Sequence, residues 1–373
     1  MGRATAVLIA AASGRALAAS ARRGGYAPLV ADFFGDEDTA TAAEAHIRLD
    51  HGLACGMSTD LVIAALESLA APREPAGIVC GTGFEDRPEL LADIAQRWTL
   101  FGNAPAVVAR TKDPLAFVKL CQDCSVAHPD TSVAQPPDPT SWLAKRQGGA
   151  GGRHIRNAAD GDRADGTFYF QRRVEGVPVS ALFLADGHRA MVLGFSTQWS
   201  APTPSRPFRY GGAAQPAVVD AETAAAMTEA VERLTPMMQL RGLNSADFLV
   251  RGRDFDLLEI NPRPGATLDI FEPNDESLFA MHISACQGAL PATRPSYEQA
   301  RAAVIVYAGR NIPAFPAFDW PDWAADRPVV GTSVDNGDPL CTVIACAETA
   351  TAARQLAAQR GAAILASTSG RLP

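Results

Sequence analysis

Along the first 110 residues, short apolar runs alternate with segments whose apolar side chains recur every three or four positions. Val7–Ala11, Tyr26–Ala31 and Gly77–Cys80 read as buried strands, and Arg15–Gly24 and Asp60–Ala70 as amphipathic helices. Such βα alternation predicts a parallel sheet whose ligand-facing edge lies at the carboxyl ends of its strands. Ser13-Gly14-Arg15, Asp32 and Gly81–Glu85 fall on that edge. No G-x-G-x-x-G run is present, so a dinucleotide site is not expected.

The pattern then changes. Asp113–Asp123 reads as a helix, and Gln135–Pro139 as a proline-rich connector. Trp142–Lys145 is a predicted strand running into a glycine loop, Gly148-Gly149-Ala150-Gly151-Gly152. Thr167–Arg173 and Val177–Leu184 are predicted strands separated by Glu175-Gly176. Ala221–Leu240 has the periodicity of the longest helix. Ala246–Val250 and Phe255–Ile260 suggest a hairpin across Arg251–Asp254. Beyond residue 295, strands Ala302–Tyr307 and Cys341–Ala345 and helix Thr349–Arg360 predict a small appended unit.

At 373 residues the chain calls for two or three units sharing a cleft. Apolar residues make up 47% and charged residues 20%, as in globular proteins with substantial cores. The net charge of −8, without a Lys/Arg cluster, argues against a nucleic-acid partner. No apolar run reaches the roughly 18–20 residues of a membrane helix, so no membrane partner is expected. Arg3 and the apolar Ala4–Ala12 imitate a signal peptide, but Arg15 follows at once and a buried strand fits better. The seven cysteines are odd in number and scattered, which suits a reducing cytoplasm. Cys121 and Cys124 form a C-x-x-C with no second pair at zinc spacing, and read as two thiols one helical turn apart.

Three segments carry candidate chemistry. In the first, Lys145 at a strand end precedes the glycine loop. Backbone N–H groups there can close over phosphoryl oxygens while the ammonium neutralises their charge. A disordered linker would look similar, and no Gly-Lys-[Ser/Thr] ends the run. In the second, Tyr169–Gly176 is a strand edge and turn that can present backbone groups to an adenine, with Gln171 or Glu175 adding side-chain contacts. The third is Asp247, then Glu259-Ile260-Asn261-Pro262-Arg263. Glu259 and Asn261 are two apart on a strand and share a face, with Asp247 on the partner strand. Two carboxylates and an amide oxygen are hard ligands suited to Mg²⁺, or Mn²⁺ in its place. Arg263 then supplies a fixed cation for a transferring phosphoryl group.

The order strand–Lys–glycine loop, hinge strand, Asp…Glu-x-Asn-Pro-Arg resembles the ATP-grasp superfamily over residues 113–270. The resemblance implies that Lys145 and Gly148, Gly149, Gly151 and Gly152 hold the phosphates of ATP, and that Gln171, Arg172, Val174 and Glu175 hold its adenine and ribose. It implies that Asp247, Glu259 and Asn261 hold the metal, and that Lys145 and Arg263 act in catalysis. The fold expected is α/β. It comprises a Rossmann-like pre-ATP-grasp βα domain (1–110), a small grasp subdomain (111–185), a large one (186–290) and a C-terminal α+β extension (291–373).

Gly83-Phe84-Glu85-Asp86 and Gly337–Val343 extend the resemblance to the carboligases related to biotin carboxylase. Biotin carboxylase has a Gln-Val-Glu-His run after the arginine to activate bicarbonate. Here Pro264-Gly265-Ala266-Thr267 follows, and there is no Met-Lys-Met biotinylation sequence. The chain is also similar to the tyramine–glutamate ligases of methanofuran and methylofuran assembly. That similarity implies a small carboxylate and an amine as substrates, an acyl phosphate between them, a cytoplasmic setting and an allowed homodimer. Arg15, Glu85, Arg209, Tyr210 and Gly211 are the expected substrate residues. A non-catalytic ATP-binding module and a bicarbonate-using carboxylase are the alternatives.

Overall fold

A computed structural model describes residues 4–49, 58–160 and 168–369. Arg3, Cys55 and Thr167 lie outside the described residues. The amino-terminal unit runs β1 (Thr5–Ala11), α1 (Arg15–Arg23), β2 (Tyr26–Asp32), α2 (Glu37–Ala42), β3 (Ala45–Arg48), α3 (Thr59–Ala70) and β4 (Ile78–Cys80). Its strands form a parallel sheet in the order β3-β2-β1-β4. Every residue of β1 from Ala6 onward is buried, because helices cover both faces of a parallel sheet. That is why β1 reads as a continuous apolar run. The polar α2 and the half-exposed edge strand β3 lack such a run, and the pattern did not predict them.

Three helices follow, α4 (Pro88–Arg97), α5 (Pro105–Lys112) and α6 (Pro114–Asp123). Each begins with proline, whose missing N–H costs nothing in the first turn. They lead to a small antiparallel sheet of β5 (Thr131–Ser132), β6 (Trp142–Arg146), β7 (Ile155–Asn157) and β8 (Phe168–Arg172), ordered β5-β8-β6-β7.

The large sheet is built from β9 (Val177–Asp186), β10 (Ala190–Ser200), β11 (Tyr210–Gln215), α7 (Ala221–Met238), β12 (Arg241–Arg251), β13 (Asp254–Asn261), α8 (Leu268–Phe271), α9 (Leu278–Cys286), β14 (Ala300–Tyr307), β15 (Ala324–Ala325), β16 (Pro339–Ala347) and α10 (Ala350–Ser369). Its eight strands are ordered β13-β12-β9-β10-β11-β14-β16-β15. At the β13 edge the Leu257 N–H donates to the Ala127 carbonyl, and the other edge is the two-residue β15.

Three expectations change. The chain passes from small to large sheet at Arg173–Gly176, so β9 belongs with the large sheet and the boundary drawn at 185 falls too late. The strands of the C-terminal extension join the large sheet through the pairing of β14 with β11, which lies well before it in the chain. The longest helix is α10 with 20 residues, ahead of α7 with 18. The helix drawn as Thr349–Arg360 continues past Gly361 within α10, where a Cβ would come 3.1 Å from Val306 Cγ2. The helix there packs tightly against β14, so a larger residue would require Val306 to shift.

Cys121 and Cys124 are buried in the core under α7 with Phe117 and Leu234, and burial pushes the Cys121 thiol to about 12. His282 on α9 is also fully buried. Its Nδ1 accepts from the Leu243 N–H at 2.8 Å and its Nε2 reaches the Phe101 carbonyl at 2.9 Å, which ties α9 to β12 and to the amino-terminal unit. Burial holds this ring down at about 4, although the Phe101 carbonyl works the other way. An unfolded histidine titrates near 6.5, so below that pH the unfolded chain binds a proton that the folded chain does not. Stability should fall as pH drops from about 6.5 to about 4, by roughly 3 kcal/mol from this residue. Thermal unfolding across that window should show a smaller slope in His282→Gln, and an unchanged slope would contradict the assignment.

Candidate active site

The hairpin β12–β13 sets the geometry. Asp247 stands opposite Glu259, Ser245 opposite Asn261, and the register shifts between Asp247 and Phe248 so that Phe248 faces Leu257. Leu258 is the extra residue of this bulge. Leu257 and Ile260 therefore both enter the core, while Glu259 and Asn261 share the cleft face with Asp247.

Asn261 donates through Nδ2 to Asp247 Oδ2 at 2.9 Å, which turns its Oδ1 outward. Asp247 also accepts from Ser180 Oγ at 2.6 Å and Gln198 Nε2 at 3.5 Å. Its two oxygens thus orient the amide as well as carrying charge. Burial and the facing Glu259 hold Asp247 above the usual carboxylate range. Glu259 is held below it, because Lys112, Lys145 and His154 outweigh its burial.

Lys112, at the end of α5, went unnoticed in the sequence. Its Nζ donates to Glu259 Oε2 at 3.0 Å and Asn261 Oδ1 at 2.9 Å, so these hard oxygens already converge on one cation. Its only sequence signal is a position directly ahead of the Asp113-Pro114 helix start. Lys145 is buried and donates to Gln171 Oε1 at 2.6 Å. Burial, with Lys112 adding and Glu259 opposing, pushes Lys145 below its ordinary value. His154, also unforeseen, is pushed to about 4 by burial, despite the opposing charge of Glu259. The cleft between them encloses about 390 Å³ open to solvent, lined by Lys112, His128, Gly149, His154, Gln171 and Glu259 among others.

The glycine loop lies across this cleft. Gly148 packs so close to Asp86 that a Cβ would meet its backbone at 2.7 Å. Gly152, at φ +70°, leaves only 1.8 Å between such a Cβ and the Phe208 carbonyl. The Gly151 carbonyl accepts from the Tyr210 N–H at 3.0 Å. Both the amino-terminal unit and the large sheet therefore hold the loop.

Other expected residues are placed differently. Gln171 is engaged by Lys145 rather than free for a base. Arg172 is exposed, beside Asp130 and over the Trp142 ring, while Val174 is half-buried and Glu175 exposed at the sheet change. Arg263 pairs with the buried Glu85, whose other oxygen accepts from the Gly83 and Phe84 N–H groups. Although burial opposes it, Arg263 and Lys112 keep Glu85 below its ordinary value. Expected to serve the substrate and the phosphoryl group separately, Glu85 and Arg263 are partners of each other.

Arg15 is not an open cation for a substrate. It is bidentate to Asp269 at 2.5 and 2.6 Å and also pairs with Asp326 at 3.0 Å. Arg209 is likewise occupied, with its guanidinium 3.6 Å from the centre of the Tyr307 ring and bonded to the Ala201 and Gly337 carbonyls. Gly211 serves the close approach of β11 to β10, where a Cβ would come 2.9 Å from Ala201 N. Tyr210 does turn inward, and its hydroxyl is buried without a partner.

Comparison with known proteins bears on this geometry. None of the curated proteins matches the sequence. Biotin carboxylase of Campylobacter jejuni, in a β-γ-ATP complex, superposes with TM-score 0.72 at 16% identity, covering 94% of this chain and 89% of that one. The biotin carboxylase domain dimer of Hydrogenobacter thermophilus 2-oxoglutarate carboxylase, with MgADP and bicarbonate, gives 0.73 at 13% identity over 95% and 89%. N5-carboxyaminoimidazole ribonucleotide synthetase of Thermotoga maritima gives 0.66 at 12% identity over 96% and 98%. Residues 112–267 match the ATP-grasp domain family. The chain thus carries an ATP-grasp domain and shares the overall fold of biotin carboxylase.

Proposed function

We propose that this protein is an ATP-dependent carboxylate–amine ligase that works through an acyl phosphate. The observation that carries the reading is the convergence of Lys112, Lys145, Glu259, Asn261 and Asp247 beside the glycine loop, with the charge of Arg263 felt at Asp247. Glu259 and Asn261 would hold Mg²⁺, with Mn²⁺ as a substitute. When bound, the ion screens the phosphate charge that builds up during transfer. Lys112, released from those oxygens, and Lys145 neutralise phosphoryl oxygens. Arg263 keeps its guanidinium fixed through Glu85 and faces the charge on the carboxylate being activated. The glycine loop excludes water, which would otherwise hydrolyse an acyl phosphate before the amine arrives. Catalysis on this reading is mostly positioning and charge neutralisation.

Transfer to an amine is favoured over carboxylation because Pro264–Thr267 offers no carboxylate to deprotonate bicarbonate. Within that class, glutamate joined to tyrosine or tyramine, as in methylofuran assembly, is the specific pairing we propose. The setting is cytoplasmic, and a homodimer is compatible with the fold. No helix among the described residues is long and apolar enough to cross a membrane.

Glu259→Gln keeps the shape of the side chain and removes its charge. It should fold normally and lose turnover by orders of magnitude in an ADP-release assay, and ordinary activity at ordinary Mg²⁺ would refute the metal assignment. Glu85→Gln removes the charge opposite the partly buried Arg263 guanidinium while leaving it an acceptor oxygen, which should cost less than the ~3–5 kcal/mol of a fully broken buried pair. Its unfolding midpoint in denaturant should drop accordingly, and turnover should fall while ATP still binds. Glutamate with tyrosine or tyramine should release ADP and form one amide, whereas labelled bicarbonate should enter no product. Bicarbonate-dependent ADP release would favour a carboxylase instead.

A further inference from the structure

The loops that follow β1 and β2 meet the segment around Asp326 in a cluster of five carboxylates: Asp32, Asp36, Asp38, Asp269 and Asp326. Among the described residues, Arg15 pairs with Asp38, Asp269 and Asp326, and the His46 ring nitrogen lies 3.0 Å from Asp32. Asp32 is further satisfied by the Gly14 and Gly35 N–H groups, and Asp38 by those of Asp326 and Arg327. Asp36 differs. It is only 4% exposed, yet its Oδ2 has no hydrogen-bond partner. Burial, followed by the charges of Asp326, Asp32 and Asp38, raises it well above the carboxylate range despite Arg15. A buried excess of negative charge with an unmet acceptor is costly unless a cation completes it.

The position of the cluster ties it to the reaction. β1 and β4 are neighbours, about 4.8 Å apart as strands pair, and the loops after them are joined by the Ala12 N–H on the Thr82 carbonyl at 2.7 Å. The second of these loops carries Glu85, the partner of Arg263. The unpartnered Tyr210 hydroxyl is raised by burial and then by the charges of Asp247, Tyr307 and Asp269. Asp326, 24% exposed, and Ser13 beside it leave the cluster open on one side.

We propose that Asp36, Asp38 and Asp326 form an ammonium site, and that one substrate of the ligation docks there by a positively charged nitrogen that does not react. Carboxylates around an ammonium stabilise its protonated form, and a protonated nitrogen cannot attack an acyl phosphate. The held nitrogen is therefore a handle, and the reacting carboxylate or amine of the same molecule lies further toward Arg263. The substrate class is a bifunctional one, an amino acid or a diamine. This assignment rests on the ligase reading for its purpose, though not for its binding chemistry.

The test is calorimetric titration at pH 7.5 of 1,4-diaminobutane, with 1,4-butanediol as the uncharged control, into protein carrying a non-hydrolysable ATP analogue. The diamine should bind saturably and the diol should not. Asp36→Asn and Asp326→Asn should each weaken the diamine at least tenfold while leaving affinity for the nucleotide within twofold. Asp36→Asn keeps the shape of the side chain and replaces a carboxyl group whose ionisation burial already opposes, so its melting temperature should hold or rise, which keeps the test usable if Asp326→Asn folds poorly. Equal binding of the diol, unchanged affinity in Asp36→Asn, or displacement of the diamine by stoichiometric Mg²⁺ would overturn the site. A wild-type protein that binds the diamine but not the nucleotide would instead overturn the ligase reading and leave the ammonium site standing.

Discussion

The extra residue at Leu258 is the constraint on which the catalytic cleft depends. In a regular strand, Leu257 and Glu259 would share a face, and either the leucine would leave the core or the glutamate would enter it. One unpaired residue changes the phase, so that Leu257 and Ile260 stay with Phe248 and Val231 while Glu259 and Asn261 turn to the cleft. The core enforces the register, because a slip of one position would bury a carboxylate among aliphatic side chains. Metal-ligand geometry and hydrophobic packing are therefore set by the same irregularity.

A second level of order comes from groups that hold the amino-terminal unit against this hairpin. Asn103, 4% exposed, accepts from the Arg241 N–H and donates to Asn244 Oδ1 and to the Pro262 carbonyl, each at 2.8 Å. Pro262 immediately precedes Arg263, and Glu85 reaches the same arginine from the loop after β4. The arginine is thus fixed from both sides of the seam. The glycine loop bridges the same two bodies, through Asp86 on one side and Phe208 on the other.

What was legible in the sequence was local. Glu259-x-Asn261-Pro-Arg263 and the lysine before its glycine loop announce themselves through spacing of two residues or immediate succession. The βα rhythm of the first unit is equally visible because its strands are buried on both faces. What was not legible depends on distant partners. Arg15 looks like an available cation until Asp269 and Asp326, 254 and 311 residues away, are brought beside it. Arg209 looks equally free until Tyr307 and Gly337 arrive. Lys112 and His154 gain meaning only from Glu259, and no local pattern marks them. The joining of β14 to β11 is a long-range pairing of the same kind, invisible in the periodicity of either strand.

The two ends of the large sheet carry a consequence for self-association. At one end the Ala127 carbonyl takes the N–H of Leu257, and at the other β15 offers only two residues of backbone. Each margin is interrupted at these points, and an interrupted row of amides is a poorer template for strand addition than a continuous one. Association through side-chain surfaces is thereby favoured, and residues there can change without disturbing the hydrogen-bonded ladder that holds the catalytic hairpin.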